Sequence, residues 1–254
     1  MSLEAISYPA DAHAITRKIE DTSYWYSHRT SIVMSTLKKF VAGKPMVYDL
    51  GGGNGIVAKA ILNAGYPCTL VEALPQAIEI AKQRGIENTV QKSLQDFNDT
   101  GISAIVLLDV LEHIEKEEDI LQNIHKQLTK DGTLIITVPA FNHLYSSVDK
   151  EIGHFRRYTT QHLESVLKKS GFEITYSSYF FSLLYFPLYL FRVIPEKLFN
   201  KKRKGEERRQ TEHLANQSIL NTLLKYVLNL ENILIRNKIK IPFGTSCLVV
   251  AKKR

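Results

Sequence analysis

From about residue 45 onward, short apolar runs alternate with stretches whose apolar residues recur at helical spacing. The apolar runs predict strands at 46–50, 68–72, 88–92, 103–109, 133–139, 172–180 and 244–253. The amphipathic stretches predict helices between them, at 56–65, 75–85, 117–132 and 160–171. Because strands alternate with helices of about 10–15 residues, the sequence predicts an α/β fold with a doubly wound, largely parallel sheet.

Two segments interrupt this alternation. Residues 139–158 show neither helical nor strand periodicity, which is typical of a functional loop. Residues 181–241 form an insertion that is rich in aromatic, then basic, then leucine residues, and it precedes the closing strand. We therefore predict one domain over 1–254, with N-terminal cap helices in 1–44, a cofactor-binding core in 45–180, a helical, basic lid in 181–241 and a final strand in 242–254.

Composition narrows the class of protein. Apolar residues make up 44 % of the 254 residues and charged residues 23 %, which excludes disordered, collagen-like and disulfide-rich chains. Cys68 and Cys247 are the only cysteines, so neither a disulfide framework nor a thiolate metal site is predicted, and a reducing, cytoplasmic setting is expected. The first residues include acidic side chains and no apolar stretch, so no signal peptide is predicted.

The net charge of +7 is concentrated in the C-terminal part of the chain. Residues 1–179 hold 18 basic and 21 acidic side chains, whereas residues 180–254 hold 15 basic and 5 acidic ones. A local excess of this size indicates one positive face or lobe. Its partner is an anionic lipid surface, a phosphate group or a nucleic acid, and charge alone does not choose among them.

The most specific motif is a glycine-rich turn between the first predicted strand and the first predicted helix. Asp49 closes the strand, and Gly51–Gly53 and Gly55 follow it, which permits positive φ and close approach of a ligand to the backbone. Strand two ends in Glu72, where a carboxylate can bind ribose hydroxyls. Gly53-x-Gly55-x-x-Ala58 also fits a dinucleotide fingerprint. However, Asp49 would repel a pyrophosphate and attract an ammonium or sulfonium group, which favours S-adenosyl-L-methionine over NAD.

These motifs together resemble those of the class I S-adenosyl-L-methionine-dependent methyltransferases, in particular the type 11/12 methyltransferase-domain proteins, over about residues 20–180 and the last strand. The resemblance rests on the segments Tyr24–Arg29, Asp49–Gly55, Gln95–Phe97 and Leu108–Ile114, and on Glu72. It implies a Rossmann-like sheet of order 3-2-1-4-5-7-6 with an antiparallel seventh strand. It also implies S-adenosyl-L-methionine as cofactor, S-adenosyl-L-homocysteine as product, and a cofactor site formed by Trp25, Arg29, Asp49, Gly51, Gly53, Asn54, Gly55, Glu72, Ala73, Asp96, Phe97, Asp109, Val110 and His113.

The chemistry implied is an in-line displacement, for which an enzyme must mainly align the reactants and exclude water. A base is needed only where the acceptor loses a proton. The cluster Asp149-x4-His154-x-Arg156-Arg157-Tyr158-Thr159 is dense in charge and resembles a D…G-H-x-R-R-Y-T signature found in a subset of the family. The predicted catalytic residues are His113, His143, Tyr145, His154 and Arg156.

Structural interpretations of the same residues stay open. His113 can serve only to position the cofactor. Asp149 and Arg157 can pair to brace the loop, with Thr159 as the cap of the next helix. The loop lacks the close spacing of a metal site, so no metal is predicted, and in particular no zinc ion bound by His143, His154 and Asp149.

The insertion allows two interpretations. Residues 179–191 carry no charge over thirteen positions, which is too short for a bilayer span of about twenty residues. A basic run follows, from Arg192 through Lys201–Lys204 to Arg209, and the leucines of 219–234 recur at helical spacing. Such a segment is typical of an interfacial membrane anchor, and equally of a lid that packs on the sheet with its lysines in solvent.

We therefore expect an S-adenosyl-L-methionine-dependent methyltransferase that acts on oxygen or carbon of a small-molecule or lipid-linked acceptor. It is expected in the cytoplasm, in peripheral contact with an anionic membrane inner face. The end of strand four lacks an Asn/Asp-Pro-Pro-aromatic tetrapeptide, which disfavours N-methylation of nucleic acid bases. Two alternatives remain, an RNA methyltransferase that uses the basic lobe and a cofactor-binding module without catalysis.

Overall fold

The computed structural model describes residues 20–21, 23–199 and 219–254, and a seven-stranded sheet forms its centre. The strands are β1 (Val47–Leu50), β2 (Cys68–Glu72), β3 (Thr89–Gln91), β4 (Ile102–Leu108), β5 (Leu128–Pro139), β6 (Phe172–Phe180) and β7 (Ser246–Lys253). Their order is β3-β2-β1-β4-β5-β7-β6. Strands β1 to β5 pair in parallel, and β7 runs antiparallel to both β5 and β6. The predicted fold class and strand order are confirmed.

Helices cover both faces of the sheet. They are α1 (Tyr24–Phe40), α2 (Ile56–Asn63), α3 (Pro75–Gln83), α4 (Glu117–Gln127), α5 (Ser147–Glu151), α6 (Thr160–Lys169), α7 (Ser182–Leu188), α8 (Ile194–Phe199) and α9 (Ile219–Arg236). A π-helical turn at Tyr189–Val193 joins α7 to α8. Pro75 occupies the first turn of α3, and the Thr159 hydroxyl caps α6 by accepting the backbone N–H of His162 at 3.1 Å. The predicted cap at Thr159 is therefore confirmed.

Burial on both faces explains why β4 is apolar at nearly every position. Ala104 and Val106 pack into the core on the side of α1, α2 and α9, whereas Ile105 and Leu107 pack into the core on the side of α4 and α6. A strand between two helical layers has no solvent-facing side, so its sequence loses the alternation of a half-exposed strand. This arrangement brings the carboxyl ends of β1, β2, β4 and β5 to one edge of the sheet.

The predicted helix 117–132 is too long. Helix α4 ends at Gln127, and β5 begins at Leu128, which lies beside Ile102 in the sheet. Leu128 is buried in the same core as the apolar face of α4, so its helical spacing gave no sign that the chain had changed conformation. Asp131, at φ 62°, marks the local irregularity of the strand before its main pairing with β4 begins.

The segment 139–158, predicted to be irregular, contains short helical elements. A 3₁₀ turn at Asn142–Leu144 and helix α5 lie within it, and Ala140 pairs with Tyr158 across its ends. Ser146 and Asp149 form a capping box at the start of α5. Neither element is longer than two turns, so neither leaves a periodic pattern in the sequence.

One buried carboxylate on α9 attaches the insertion to the rest of the fold. Glu231 accepts hydrogen bonds from the His28 ring at 3.0 Å, from the backbone N–H groups of Phe181 and Ser182 at 2.8 and 2.7 Å, and from the Ser182 hydroxyl. Burial alone raises the pKa of Glu231, but these donors outweigh burial and hold the pKa below its usual range. Helix α9 is therefore fastened to α1 and to the start of α7 at one point.

The rest of the insertion is described only in part. Helix α7 and the π-helical turn lie over the carboxyl edge of the sheet, where Leu184, Pro187 and Leu188 line the cavity described below. The predicted basic cluster at Lys201–Lys204 and Arg208–Arg209 lies outside the described residues. Within the described part of the chain, no helix combines the length and the apolar content that crossing a membrane requires.

We expect Glu231→Ala to lower the free energy of unfolding by about 3–5 kcal/mol, because it leaves buried donors without an acceptor. Urea denaturation followed by circular dichroism measures this loss. The loss should shrink as pH falls, because a carboxyl whose pKa is lowered by folding stabilises the fold only while it is ionised. Glu118→Ala is the control, since Glu118 forms an exposed ion pair with Lys169 and should cost less than about 1 kcal/mol. Equal losses for the two variants would contradict this account of the attachment.

Candidate functional site

A cavity of about 780 Å³ lies at the carboxyl edge of the parallel strands. At one end its wall is formed by the glycine turn after β1 and by Glu72 at the end of β2. At the other end it is formed by His113 after β4 and by the loop after α5, and α7 lies over that end. The cavity therefore has a glycine end and a histidine end, and these names are used below.

The glycines of the turn have separate structural reasons. Gly51 has φ +69°, and a Cβ there would lie 2.7 Å from Cγ2 of Val110. Gly55 has φ +79° and begins α2, and a Cβ there would lie 2.3 Å from Cδ1 of Ile86, so core packing requires this glycine. Gly53 has φ +52°, lines the cavity and has open space where a Cβ would project. A ligand in the cavity can therefore approach the backbone most closely at Gly53.

Asp49 lies beneath this turn and is 1 % exposed. Its Oδ2 atom has no hydrogen-bond partner among the described residues. Burial raises the pKa of Asp49 to about 7, although the Arg29 charge and the backbone N–H of Ala58 act in the opposite direction. A cationic ligand group at the glycine end would therefore supply a partner that this carboxylate lacks.

Glu72 shapes the turn from the other side. One carboxylate oxygen accepts the Gly53 backbone N–H at 3.0 Å, and the other accepts those of Ala73 and Leu74 at 2.8 and 3.0 Å. Asn54, next in the turn, donates its side-chain amide to Glu20 at 3.2 Å. Glu72 therefore holds the backbone on which a ligand would lie, in addition to its predicted role toward ribose hydroxyls.

Helix α1 closes the glycine end through an ion pair. The Arg29 guanidinium donates to the carboxylate of Asp109, which also accepts the Thr137 hydroxyl at 3.0 Å. Burial lowers the pKa of Arg29, but the Asp109 charge outweighs burial and the net shift is upward. The guanidinium carbon lies 4.8 Å from the centre of the Trp25 ring, and Trp25 stacks on Phe181 with ring centres 5.6 Å apart. The predicted cap helix, α1, thus packs against the glycine end of the cavity and against the start of the insertion.

At the histidine end, Asp149 organises the loop. Its Oδ1 atom accepts His154 Nδ1 at 2.9 Å and Arg157 Nε at 2.7 Å, and its Oδ2 atom accepts the Ser146 backbone N–H at 3.0 Å. Burial acts against the ionised form, but these donors outweigh it and keep the pKa of Asp149 well below its usual range. The bracing interpretation of Asp149 and Arg157 is confirmed, and Arg157 also reaches the cavity wall.

Two further ionisable groups lie beside His154. The His113 and His154 rings meet edge to face with centres 4.7 Å apart. Burial lowers the pKa of His113 to about 4, and the neighbouring His154 adds to this effect, so His113 is neutral at pH 7. Glu112 is 1 % exposed, and burial, with a contribution from Asp109, raises its pKa well above the usual range.

Three predicted catalytic residues lie away from the cavity. The Tyr145 hydroxyl donates to the backbone carbonyl of His154 at 2.7 Å. His143 is exposed, stacks on Phe141 and hydrogen-bonds the Tyr185 hydroxyl at 2.8 Å. Arg156 donates to the backbone carbonyl of Glu115 and pairs with Glu117. Of the five candidates, the described cavity wall includes only His113 and His154.

Most of the predicted cofactor residues come together at the cavity. They are Trp25, Arg29, Asp49, Gly51, Gly53, Asn54, Glu72, Ala73, Asp109, Val110 and His113. Gly55, Asp96 and Phe97 are not among the described wall residues. Phe97 is fully buried against Tyr48, and Asp96 is exposed and accepts the Ser93 hydroxyl. The insertion was expected to cover the site, but the predicted site residues did not include wall residues from distant segments, among them Glu20, Leu184, Pro187, Leu188, Phe191 and Arg192.

Comparison with protein families identifies a methyltransferase domain in the chain. Residues 26–177 match the model of a family described as a methyltransferase domain, and this match covers more than half of the chain. Over 133 residues the chain is 27 % identical to the ubiquinone biosynthesis O-methyltransferase of Rickettsia conorii. That alignment covers 50 % of this chain and 45 % of the relative, so the chain spans less than half the length of that curated relative.

Solved structures match more of the chain at lower identity. A SAM-dependent methyltransferase from Archaeoglobus fulgidus is 19 % identical, with a TM-score of 0.53 over 88 % of this chain and 94 % of that one. A putative methyltransferase, solved in complex with the Haloferax volcanii Trm112 methyltransferase activator, is 13 % identical. Its TM-score is 0.61 over 98 % of this chain and 97 % of that one. At these identities the likeness concerns the fold.

The glycine end suits S-adenosyl-L-methionine, the cofactor that this family and fold imply. The buried Asp49 Oδ2 atom, which lacks a partner in the described part of the chain, would accept from the ammonium group. The open space at Gly53 would admit the cofactor against the backbone, and Glu72 ends the next strand. The residues present therefore fit this cofactor.

We expect the affinity for S-adenosyl-L-methionine to fall as pH drops through about 7, because the ionised form of Asp49 attracts the cationic ligand. Between pH 7.5 and pH 6, Kd should rise roughly eightfold, as measured by titration calorimetry. Asp49→Asn should bind more weakly at pH 7.5 and lose this pH dependence, which separates the contribution of Asp49 from titration of the ligand itself. A Kd that is equal at both pH values in the unchanged protein would contradict the role given to Asp49.

Proposed function

The chain belongs to the methyltransferase-domain family, and we propose that it transfers the methyl group of S-adenosyl-L-methionine to an oxygen or carbon atom of a small-molecule or lipid-linked acceptor. The observation that carries this proposal is one cavity with two chemically different ends. The glycine end offers a buried carboxylate without a partner among the described residues, and the histidine end offers neutral imidazole. S-adenosyl-L-methionine supplies an activated methyl group on a sulfonium.

The glycine end would hold and orient the cofactor. Asp49 would accept from its ammonium group, and Glu72 from its ribose hydroxyls. Trp25, which contacts the Arg29 guanidinium and stacks on Phe181, would close this end against water. Alignment and exclusion of water are the main contributions that such a displacement needs from the protein. That Asp96 and Phe97 take part in cofactor binding, with Asp96 bonding the adenine amino group, stays a prediction that the family resemblance suggests.

At the histidine end an acceptor would meet the methyl carbon. In the transfer, a bond forms between the acceptor atom and the methyl carbon, the carbon–sulfur bond breaks, and sulfur takes the electron pair. A hydroxyl acceptor also loses its proton, and Glu112, His113 and His154 are the groups at this end that can help remove it. O-methylation agrees with the name of the Rickettsia conorii relative, an O-methyltransferase of ubiquinone biosynthesis.

A lipid-linked acceptor is supported by exposed apolar side chains on α7, on the π-helical turn that follows it and at Phe243. We call this set the apolar rim, and it consists of Leu183, Phe186, Leu190, Phe191 and Phe243. Phe191 is 71 % exposed and lines the cavity as well. Phe186 contacts Phe243 with ring centres 5.8 Å apart, so the rim is continuous across two segments. Apolar surface concentrated on a segment that also lines a cavity is typical of a binding or membrane-contact surface.

Turnover tests the proposed function. Labelled S-adenosyl-L-methionine is offered with catechols, polyprenyl phenols and RNA, and transfer to a phenolic acceptor is expected. Gly53→Ala should reduce transfer at least about tenfold, because its Cβ enters the cofactor space. Gly43→Ala is the matched control, since Gly43 also has positive φ (+75°) and open space at its Cβ position. Cofactor binding without transfer to any class would indicate a binding module, and salt-sensitive transfer to RNA alone would indicate the RNA alternative.

Membrane contact is tested with vesicles that contain anionic phospholipid. We expect the unchanged protein to sediment with these vesicles, and a Phe186→Ser/Phe191→Ser variant to sediment several-fold less, because the substitutions remove apolar surface from the rim. Ile239→Ser is the control, since Ile239 is 51 % exposed and is not part of the rim. Equal sedimentation of both variants and the unchanged protein would contradict the membrane role of the rim.

A further inference from the structure

A compact group of potential metal ligands lies in the wall of the histidine end. It consists of Glu112 and His113, in the turn after β4, and His154, in the loop after α5. One carboxylate oxygen and two ring nitrogens, one from each residue, all lie within 4.8 Å of one another. Two segments that are far apart in sequence therefore bring three ligand-type atoms to one place.

Among the described residues, Glu112 has no cation within hydrogen-bond distance, and the nearest ring nitrogen, His154 Nε2, lies 3.8 Å from its Oε1 atom. Glu112 is 1 % exposed, and its Oε2 atom has no hydrogen-bond partner within the described ranges. The nearby arginines are engaged elsewhere, since Arg157 donates to Asp149 and Arg29 donates to Asp109. A buried carboxylate in this situation requires either a proton or a cation.

Both imidazoles are held with one nitrogen already engaged. His154 Nδ1 bonds Asp149 at 2.9 Å, which leaves Nε2 on the side of Glu112, 3.8 Å from its Oε1 atom. His113 makes a hydrogen bond to the backbone of Gly153. Metal-binding histidines are usually fixed in this way, by a carboxylate or a backbone carbonyl on the second ring nitrogen.

We propose that Glu112, His113 and His154 bind a divalent transition-metal ion whose open coordination positions face the cavity. One carboxylate and two imidazoles match the ligand preference of Zn²⁺ and related ions, and three protein ligands leave a position for water or an acceptor atom. Ligand atoms about 2.0–2.1 Å from a tetrahedral ion lie about 3.4 Å apart, compared with at most 4.8 Å in the structure. A side-chain shift below about 1 Å therefore closes the site around the ion.

The metal ion would activate the acceptor in the methyl transfer proposed above, and this role rests on that proposed function. An acceptor hydroxyl that binds an open position gives up its proton to solvent water at a lower pH than in free solution. The oxygen is then ready to form the bond to the methyl carbon. The ion would thus perform the task for which a general base is otherwise needed, and His113 and His154 would act as ligands.

Metal binding can be measured without any methyl acceptor. Chelator-treated protein is titrated with Co²⁺, whose visible absorption reports its ligands, and Zn²⁺ is then added as competitor. We expect one equivalent of Co²⁺ to bind and Zn²⁺ to displace it. Glu112→Gln and His154→Ala should each weaken binding at least roughly 100-fold. His162→Ala should leave it unchanged, because His162 is an exposed histidine outside the cavity wall.

Cofactor affinity serves as the folding control. The glycine end is unchanged in these variants, so each should still bind S-adenosyl-L-methionine. The metal site is overturned if the unchanged protein shows no saturable Co²⁺ uptake, or if Glu112→Gln and His154→Ala bind Co²⁺ as the unchanged protein does. Saturable Co²⁺ uptake that depends on both residues, in a protein that neither binds S-adenosyl-L-methionine nor transfers methyl groups, would uphold the metal site and overturn the proposed function.

Discussion

The structure depends on how buried carboxylates are neutralised at the carboxyl edge of the parallel sheet. Among those that line one cavity are Asp49, Glu112 and Asp149, together with the half-buried Asp109. In surroundings of low polarity each needs a positive or hydrogen-bonding partner. Arg29 donates to Asp109, and Arg157 donates to Asp149. Asp49 and Glu112 each keep an oxygen without a partner among the described residues, and these two oxygens lie at the two ends where ligands are proposed.

The glycine end could be predicted because its parts are close together in sequence. Asp49 through Gly55 form one turn, and Glu72 ends the next strand, so a short motif places them side by side in any doubly wound sheet. The strand order came from family resemblance, since apolar runs alone do not specify which strands are neighbours. The sequence predicted that α4 continues to residue 132, whereas β5 begins at Leu128. A buried leucine suits a helix and a strand equally, so its position did not reveal the change.

The histidine end could not be predicted in the same way, because its wall comes from β4, from the loop after α5 and from the insertion. A dense cluster of charged and aromatic residues indicated that the loop matters, but it did not show which side chains face inward. In the structure two adjacent arginines point in different directions. Arg157 turns toward Asp149 and the cavity, whereas Arg156 turns outward to Glu117. Tyr145 is used to hold the backbone of His154. Only the tertiary arrangement decides such alternatives.

The insertion links the two ends of the cavity mechanically. Glu231 on α9 joins His28 of α1 to the first residues of α7, and Phe181 at that junction also stacks on Trp25. Helix α1, which closes the glycine end, and helix α7, which lies over the histidine end, are therefore packed against each other. An acceptor that displaced α7 would therefore also disturb Trp25. Conversely, a cofactor that ordered α1 would stabilise the position of α7. An amphipathic acceptor suits this arrangement, because its tail could rest on the apolar rim while its reactive group enters beneath α7 toward His113.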